Sequence, residues 1–318
     1  MGYPATWFFP DTVTAMVFSK LADSVYVVIG GDFPQCNTIV IITDEVVVID
    51  PGCPVEDLRG LLMKQGLELR KIDTIILSHI HPDHVIHTMR LNRISGSRIV
   101  ANEITAPLFN EKEKMKEFLG FHKGHPVRKL WEHLVNKRMH GALDDGRVDE
   151  ELKDGETIGF GDITLKMLYT PGHLPDHMCI EIQEPNLIFG SDLDLTEFGP
   201  YYGHPNCSIQ DFKMSIQKVQ QGNYDGLISG HLREPLVGDY KDRLAAYSRQ
   251  IDMREDLVYT AILEGAKTIS EITANPIIYP SLPSPVFLQF ETWMIEHHIS
   301  SLIDSGLIEE DRGKLRAT

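Results

Sequence analysis

Cysteine is scarce in this chain of 318 residues, and no two of its four cysteines form a C-x-x-C pair. A chain of this length can build a core without disulfide bonds, so the scattered cysteines predict reduced thiols and a cytoplasmic location. The chain also lacks any run of about 20 apolar residues, so we expect neither a membrane-spanning helix nor a membrane partner. Its N-terminal segment has no basic cluster followed by a compact apolar run, so we expect no secretory signal.

Basic residues are also in the minority. The chain has 30 lysines and arginines against 46 aspartates and glutamates, which gives a net charge of −16. Such a chain repels polyanions, so nucleic acid is not an expected partner. Hydrophobic residues make up 42% of the chain and charged residues 24%, which is ordinary globular usage and argues against a disordered or fibrous protein.

The first hundred residues alternate between strand and helix patterns, which indicates an α/β fold. Residues 24–29, 38–42 and 46–49 are rich in β-branched side chains, and the short polar break between the last two predicts a hairpin. Apolar residues then recur at helical spacing over 54–64. The continuous apolar run over 72–77 is typical of a buried strand.

The remaining chain divides into three parts. Residues 105–150 have many charges and few β-branched residues, and we interpret them as a helical insertion. Strand patterns return at 155–158, 163–168, 178–182, 187–189 and 226–229, with a helix predicted over 209–219. Beyond Leu236 only helical patterns remain, separated by a linker with four prolines over 275–285. We therefore predict a main domain over 1–236 and a helical extension over 237–318.

The strongest chemical signal is the segment L-S-H-I-H-P-D-H at residues 77–84. It places His79, His81, Asp83 and His84 within six positions, directly after the predicted buried strand. Alternate residues at a strand end share a face, so His79 and His81 can bind one ion while the next turn directs Asp83 and His84 to a neighbouring point. Imidazole and carboxylate ligands suit zinc, iron or manganese. A histidine-rich surface loop is the alternative, and the position after a buried strand disfavours it.

Three more ligand-type residues follow predicted strands, each beside a glycine. They are His173 in T-P-G-H, Asp192 in F-G-S-D and His231 in S-G-H. Each alone is a weak signal, because a histidine at a strand end is more often a satisfied polar group. Together with the first segment, they imply one rim where four strand ends converge.

These residues, in this order, resemble the metallo-β-lactamase superfamily, in its hydrolase branch similar to glyoxalase II. The resemblance covers about residues 20–235 and rests on H-x-H-x-D-H and the three downstream residues. It implies an αββα sandwich with a dinuclear metal site on its upper edge. In this family pattern His79, His81 and His173 hold one ion, Asp83, His84 and His231 hold the second, and Asp192 bridges both. Asp50, in I-D-P-G, matches an aspartate that lies below the site and orients a ligand.

Two features depart from the family pattern and leave the subfamily open. The signature is usually followed by Gly-Gly, where this chain has Ile86 and His87, and His87 is either a substrate contact or a helix residue. The bridging aspartate usually follows glycine directly, whereas here Ser191 lies between Gly190 and Asp192. Asp194 is a weaker candidate for the bridge.

A glycine-rich loop after Asp192 carries Tyr201, Tyr202 and His204. Polar side chains near a metal site often donate to a developing oxyanion, so these three are candidate catalytic residues. The alternative is that they only pack the loop. For His177, which follows the same strand as His173, we expect a structural role.

The resemblance implies an enzyme, a dinuclear metal-dependent hydrolase in which a metal-bridging hydroxide cleaves a thioester, lactone or related ester. Asp83 and Asp192 are placed to orient the nucleophile and to move its proton. The G-x-S-x-G signature of serine hydrolases is absent. We expect two divalent ions, zinc first with iron or manganese as alternatives, and a small-molecule acyl substrate.

Three other functions stay open. A metal-dependent endoribonuclease or phosphodiesterase is one, because the extension looks like the winged-helix-type extension of an endoribonuclease-related branch. Residues 241–318 hold eight basic and twelve acidic residues, however, which is a poor surface for nucleic acid. An iron-dependent sulfur dioxygenase and a non-catalytic metal-loaded scaffold are the others, and the complete ligand set disfavours both. We expect the extension to pack on the sandwich and frame the substrate pocket, or to form a homodimer.

Overall fold

Two β-sheets lie at the centre of the structure. The computed structural model describes residues 18–31 and 34–318. The first sheet contains seven strands in sequence order, antiparallel up to β4 and parallel from β4 to β7. They are β1 (Phe18–Lys20), β2 (Val25–Val28), β3 (Thr38–Ile42), β4 (Val46–Ile49), β5 (Thr74–Ile76), β6 (Arg98–Asn102) and β7 (Glu150–Leu152).

The second sheet has six strands in the order β13-β12-β11-β10-β9-β8. Its members are β8 (Thr157–Phe160), β9 (Ile163–Tyr169), β10 (Met178–Ile182), β11 (Leu187–Ser191), β12 (Gly226–Ser229) and β13 (Leu236–Val237). Only β11 and β12 run parallel, and helix α7 (Ile209–Gln221) connects them. The two parallel sections therefore bring several strand ends to one edge of the sandwich.

Side-chain alternation explains why the sheets stack. In β3, Ile39 and Ile41 point into the buried layer that also holds Phe189 and Ile228 of the second sheet. Val40, between them, belongs to a separate hydrophobic cluster with Leu58 and other residues of the outer helices. Because successive side chains of a strand face opposite sides, each sheet buries one face on its partner and the other under helices. This confirms the predicted αββα sandwich.

Helices cover both outer faces and form the insertion. In the first half of the chain these are α1 (Val55–Lys64), α2 (Pro82–Val85) and α3 (Thr88–Ser95). The insertion consists of α4 (Thr105–Asn110), α5 (Lys112–Phe118) and α6 (Arg128–Arg138), as its composition predicted. No helix of the described ranges has the length and apolar character needed to cross a bilayer.

The C-terminal extension consists of three helices and a hairpin. These are α8 (Tyr240–Leu263), α9 (Ile269–Thr273), α10 (Pro285–Asp304), β14 (Ile308–Asp311) and β15 (Lys314–Ala317). Helix α8 packs on α7 of the sandwich and on α10. Three helices followed by a two-stranded wing agree with the winged-helix-like extension predicted from sequence.

The expectation of only helices after Leu236 is wrong in two places. β13 pairs with β12, so the second sheet runs to Val237, while the division of the chain into domains stays a prediction. β14 and β15 are rich in charged residues, and each buries a single side chain, Ile308 and Leu315. Their strand conformation arises from pairing and from packing on α10 and α8, which a local hydrophobic pattern does not report.

One buried carboxylate holds the proline-rich linker in place. Glu291 of α10 is fully buried and accepts the N–H groups of Ile277, Ile278 and Tyr279 at 2.7, 3.1 and 2.9 Å. The linker has no regular structure of its own, so this side chain supplies the hydrogen bonds that a strand or helix would otherwise provide.

We predict that Glu291→Ala lowers the free energy of unfolding by about 3 kcal/mol, because it leaves three N–H groups without an acceptor. Urea denaturation followed by circular dichroism measures the change. Glu296→Ala is the matched control, since Glu296 is exposed on the same helix and its loss should cost no more than about 0.5 kcal/mol. Equal losses in the two variants would contradict the assigned role of Glu291.

Candidate metal centre

Five strand ends meet at one edge of the sandwich, and each is followed by a polar residue. Asp50 follows β4, the segment 78–84 follows β5, and Asp192 follows β11. His173 comes four residues after β9, and His231 two residues after β12. The structure therefore brings together residues that are up to 181 positions apart in the sequence, from Asp50 to His231.

The first donor group contains His79, His81, His173 and Asp192, all of them buried. Their donor atoms lie within 4.8 Å of one another. His173 Nε2 lies 3.0 Å from Asp192 Oδ2 and 2.9 Å from His81 Nδ1. His79 Nε2 lies 3.7 Å from the same carboxylate oxygen. This is the set that the family pattern assigned to one ion together with the bridge.

The second donor group contains Asp83, His84 and His231 and faces the other oxygen of Asp192. Asp192 Oδ1 lies 2.8 Å from His84 Nε2 and 3.2 Å from His231 Nε2. Asp83 Oδ2 is 3.5 Å from His231 Nε2. The two oxygens of one carboxylate thus face separate histidine groups, as a bridging ligand requires.

The donor atoms fit divalent metal ions. Nε2 of His79 is buried and has no hydrogen-bond partner in the described part of the chain. The Nδ1–H of His79 donates to Ser78 Oγ at 2.9 Å, so Nε2 of that ring carries a lone pair. A buried polar atom without a partner is costly, and a cation among these donors removes the cost. Imidazole with carboxylate suits zinc, iron and manganese.

The electrostatics favour ligand-competent forms of several of these side chains. Burial holds the pKa of His79 well below its usual value and lowers the pKa of His81 to about 3, so both rings are neutral. Burial alone would raise the pKa of Asp192, but His84 and His173 hold it well below its usual value. Metal binding needs neutral imidazoles and an ionised carboxylate, which is the state that these three side chains favour. In the second group burial lowers the pKa of His231, but Asp192 and Asp83 raise it to about 9, so an ion that binds there displaces a proton.

Asp50 orients His84. It directly follows β4 with a positive φ of 49°, and its Oδ2 accepts from His84 Nδ1 at 2.8 Å. The same carboxylate accepts the Ser78 N–H at 2.8 Å and the Ser78 hydroxyl at 2.5 Å. With Nδ1 of His84 donating, its Nε2 is left for the centre. This is the position below the site that the resemblance implied for Asp50.

Ser191 explains one departure from the family pattern. Its φ is 50°, in the left-handed region that favours glycine, and the β11–β12 register shifts between Phe189 and Ser191. Its hydroxyl lies 2.8 Å from Ser78 Oγ and 3.4 Å from Asp50 Oδ2. Serine at this position leaves Asp192 in the centre and adds a hydroxyl to the network below it.

Asp176 and His177 connect three ligand-bearing segments, which agrees with the structural role expected for His177, whereas the sequence analysis missed Asp176. His177 Nε2 accepts the Asp192 N–H at 3.2 Å, while its Nδ1 donates to the Thr170 carbonyl at 2.9 Å. Asp176 accepts the Ile80 N–H at 2.8 Å, between His79 and His81. Two ligand-type residues directly after the His173 turn were the available signal, and only their contacts show which groups they hold.

Tyr201 and His204 border the first donor group. The Tyr201 ring lies 5.8 Å from the rings of His81 and His173, and the His204 ring lies 5.0 Å from His81. The Tyr201 carbonyl accepts from His173 Nδ1 at 2.9 Å, which leaves Nε2 of His173 for the centre. His204 Nδ1 donates to the Leu119 carbonyl at 2.9 Å, so its Nε2 is an acceptor, 3.4 Å from the Tyr201 hydroxyl.

The prediction that Tyr202 faces the reaction centre is wrong. Its side chain is fully buried, and its hydroxyl lies 2.8 Å from His298 Nε2 and 3.3 Å from Arg254 in the extension. Asp194 is not the bridge either, because its carboxylate accepts from Tyr247 at 2.8 Å and from Thr196. His87 lies outside both donor groups, half-buried at the start of α3.

Comparison with known proteins settles the family. The sequence model of the metallo-β-lactamase superfamily matches residues 31–259. The chain belongs to this superfamily. The structure of a metallo-β-lactamase family protein from Thermus thermophilus aligns with a TM-score of 0.70 at 18% identity, over 94% of this chain and 100% of that one. This likeness shows the shared fold.

Two relatives align over most of the chain. An atrochrysone carboxyl ACP thioesterase from Aspergillus chevalieri is 25% identical over 291 residues, 87% of this chain and 85% of the relative. A β-lactamase-like protein 2 homolog from Caenorhabditis elegans is 23% identical over 276 residues, 84% of this chain and 81% of the relative. The superfamily match and the His/Asp donor groups identify the chain as an enzyme, a hydrolase that binds divalent metal ions.

We predict that Asp192→Ala abolishes turnover and releases at least one ion, because it removes the carboxylate that faces both donor groups. Mass spectrometry of bound metal after dialysis measures the loss. Asp194→Asn is the matched control and should retain the full metal content, since Asp194 faces Tyr247. An Asp192→Ala protein with full metal content and activity would refute the bridging assignment.

For His177, replacement by Phe should weaken metal binding by about 10- to 100-fold, because the Asp192 N–H loses its acceptor. Chelator competition measures the affinity. His177→Gln restores an acceptor and should recover part of it. Thermal unfolding of the metal-free variants serves as the control for general destabilisation, and equal affinities in the Phe variant and the native chain would remove His177 from this role.

Proposed function

We propose that the chain is a thioesterase that uses two divalent metal ions to hydrolyse an acyl thioester. Zinc is the expected metal, and iron or manganese are the alternatives. The observation that carries the proposal is that the two carboxylate oxygens of Asp192 face separate donor groups. Such a pair of adjacent sites suits hydrolysis with two metal ions. The relative named as an ACP thioesterase supports the thioester class. Lactones and related esters are the alternative substrate classes. A hydrolase of the glyoxalase II-like branch is consistent with any of these substrates.

Bound divalent ions would supply an activated water and polarise the acyl oxygen. The residues that would hold them are His79, His81 and His173 on one side and Asp83, His84 and His231 on the other, with Asp192 between. Asp192 has a carboxylate oxygen beside each group, and Asp83 has one beside the second group, so both can orient the attacking water and accept its proton. The four cysteines are buried, and burial raises the pKa of Cys36, Cys53 and Cys179 to about 12, so none of these three supplies a thiolate nucleophile.

Tyr201 is the side chain best placed to donate to the acyl oxygen. Burial holds its pKa well above the usual value, so the phenol keeps its proton. His204 Nε2 is an acceptor at 3.4 Å from that hydroxyl, so it would hold the phenol proton until an acyl oxygen replaces it as the acceptor. Of the three candidates on this loop, the geometry supports Tyr201 as the donor and His204 as its positioning residue.

An aromatic wall beside the first donor group suits an apolar acyl chain. Phe290 and Trp293 of α10 lie 5.5 and 6.0 Å from the His204 ring, and Phe290 lies 6.0 Å from Tyr201. Phe290 and Tyr201 are only partly buried, so the wall offers apolar surface next to the reacting centre. Binding there would exclude water and hold the acyl carbon near Asp83 and Asp192.

The test is hydrolysis of a substrate panel of acyl thioesters, lactones, β-lactams and phosphodiesters. We predict that thioesters are cleaved fastest and RNA is not cleaved. Removing metal with a chelator should abolish the activity, and zinc should restore it, because the donor groups supply no nucleophile of their own. RNA cleavage that depends on the C-terminal extension would favour the endoribonuclease alternative instead. Sulfur oxidation with bound iron would favour the sulfur dioxygenase alternative. Homodimerisation and a cytoplasmic location stay predictions.

Tyr201→Phe should lower kcat about a hundredfold with little change in KM, because it removes a hydrogen bond that strengthens as the oxyanion forms. Tyr202→Phe is the matched control, since its hydroxyl faces His298 and kcat should stay at the native level. Initial rates at varied concentrations of one thioester give kcat and KM. The measured metal content must be equal in the native protein and the two variants. Equal kcat values in the two variants would remove Tyr201 from catalysis.

A further inference from the structure

The insertion carries a cationic face in a strongly acidic chain. Over residues 121–140 there are five lysines and arginines and a single acidic residue, Glu132, whereas the whole chain has a net charge of −16. Lys129, His133 and Lys137 are exposed at i, i+4 and i+8 of α6, so they form one stripe on the outer side of the helix. Exposed Lys123 precedes that helix in the adjoining loop.

Two acidic residues beside this stripe are already paired with other basic side chains. Glu113 and Glu132 bind Arg128 and Lys116 at 2.7 to 3.0 Å. Among the described residues, no carboxylate pairs with Lys123, Lys129 or Lys137. The outer side of α6 is therefore a positive surface whose charge the chain itself does not neutralise.

This surface lies on the same segment as one wall of the metal centre. Trp131, on the buried side of α6, stacks on Phe121 at 4.3 Å. The Phe121 ring lies 6.4 Å from His204, which lies 5.0 Å from His81. The Leu119 carbonyl, two residues before Phe121, accepts from His204. The cationic face and this wall lie on opposite sides of α6, so a molecule bound on the face would reach the centre only through a long flexible arm.

We propose that Lys123, Lys129, His133 and Lys137 form a docking surface for an acidic acyl carrier protein, which presents its thioester on a flexible pantetheine arm. The inference rests on the proposed thioesterase function. A stripe from Lys129 to Lys137 is about 12 Å long, with a lysine at each end and no acidic side chain in it, which matches an acidic helix better than the compact phosphates of one nucleotide. The rest of the chain is acidic, so a long polyanion such as RNA would be repelled beyond the stripe.

The experiment compares one acyl group on three carriers. The substrates are an octanoyl group on an acidic acyl carrier protein, octanoyl-CoA and octanoyl-N-acetylcysteamine, which has no charged carrier. The test variant combines Lys123→Glu, Lys129→Glu and Lys137→Glu. The matched control combines Lys71→Glu, Lys153→Glu and Lys314→Glu, which are exposed elsewhere and produce the same change in net charge.

We expect kcat/KM for the carrier-protein substrate to fall by at least about tenfold in the test variant, through KM, because electrostatic steering is lost. The other two substrates should change less than about twofold, and the control variant should behave as the native chain. High salt should reduce the native preference for the carrier protein. Equal losses on all three substrates, equal losses in the control variant, or an equal loss on octanoyl-CoA would each overturn the docking proposal.

Failure of the proposed function gives a different result. If the native chain hydrolyses none of the thioesters, the thioesterase proposal fails, and fluorescence anisotropy of the labelled carrier protein then tests docking alone. Binding that is lost in the test variant and kept in the control would support the surface. Native binding no tighter than that of the test variant would overturn it.

Discussion

The position of the Asp192 carboxylate is the constraint on which the centre depends. Its two oxygens approach imidazole nitrogens of separate groups at 2.8 to 3.2 Å, in a buried place where an ionised carboxylate is costly unless it is compensated. Three features fix the Asp192 backbone. The strand has a bulge at Ser191, the His177 ring accepts the Asp192 N–H, and the Tyr247 hydroxyl lies 3.3 Å from the Asp192 carbonyl. Of these, Tyr247 comes from the extension, so α8 contributes directly to the position of the central ligand.

The grouping of the candidate ligands was predictable because its signal is local. Each ligand follows a strand whose apolar pattern is visible in the sequence, and parallel strand ends must share an edge of the sandwich. Local sequence patterns also predicted the hairpin at Thr38–Ile42 and Val46–Ile49 and the helical insertion. It failed for Tyr201 and Tyr202, which are adjacent on an irregular loop. One faces the centre and the other faces His298, and no periodicity in the sequence distinguishes them.

The residues that hold the ligands were harder to predict than the ligands themselves. Asp176 and His177 act through contacts to Ile80 and to Asp192, which are distant along the chain. Ser191 looked like a departure from the family pattern, yet its hydroxyl joins the Asp50 network while its backbone takes a conformation that favours glycine. Such roles depend on where a side chain points after the sheets have stacked, and composition does not report that direction.

His204 shows how the sandwich, the insertion and the extension meet at the reaction centre. Its Nδ1 donates to the Leu119 carbonyl of the insertion, and its own carbonyl lies 2.8 Å from His297 Nε2 of the extension. The neighbouring loop is held from the same side by Arg254, which donates to the carbonyls of Pro200 and Phe198. The His204 ring is thus fixed by the insertion and by the extension, and the extension also carries the aromatic wall. In the proposed thioesterase, an acyl chain that reshapes this wall would therefore also move the Tyr201 hydroxyl, which would couple substrate choice to catalysis through one side chain.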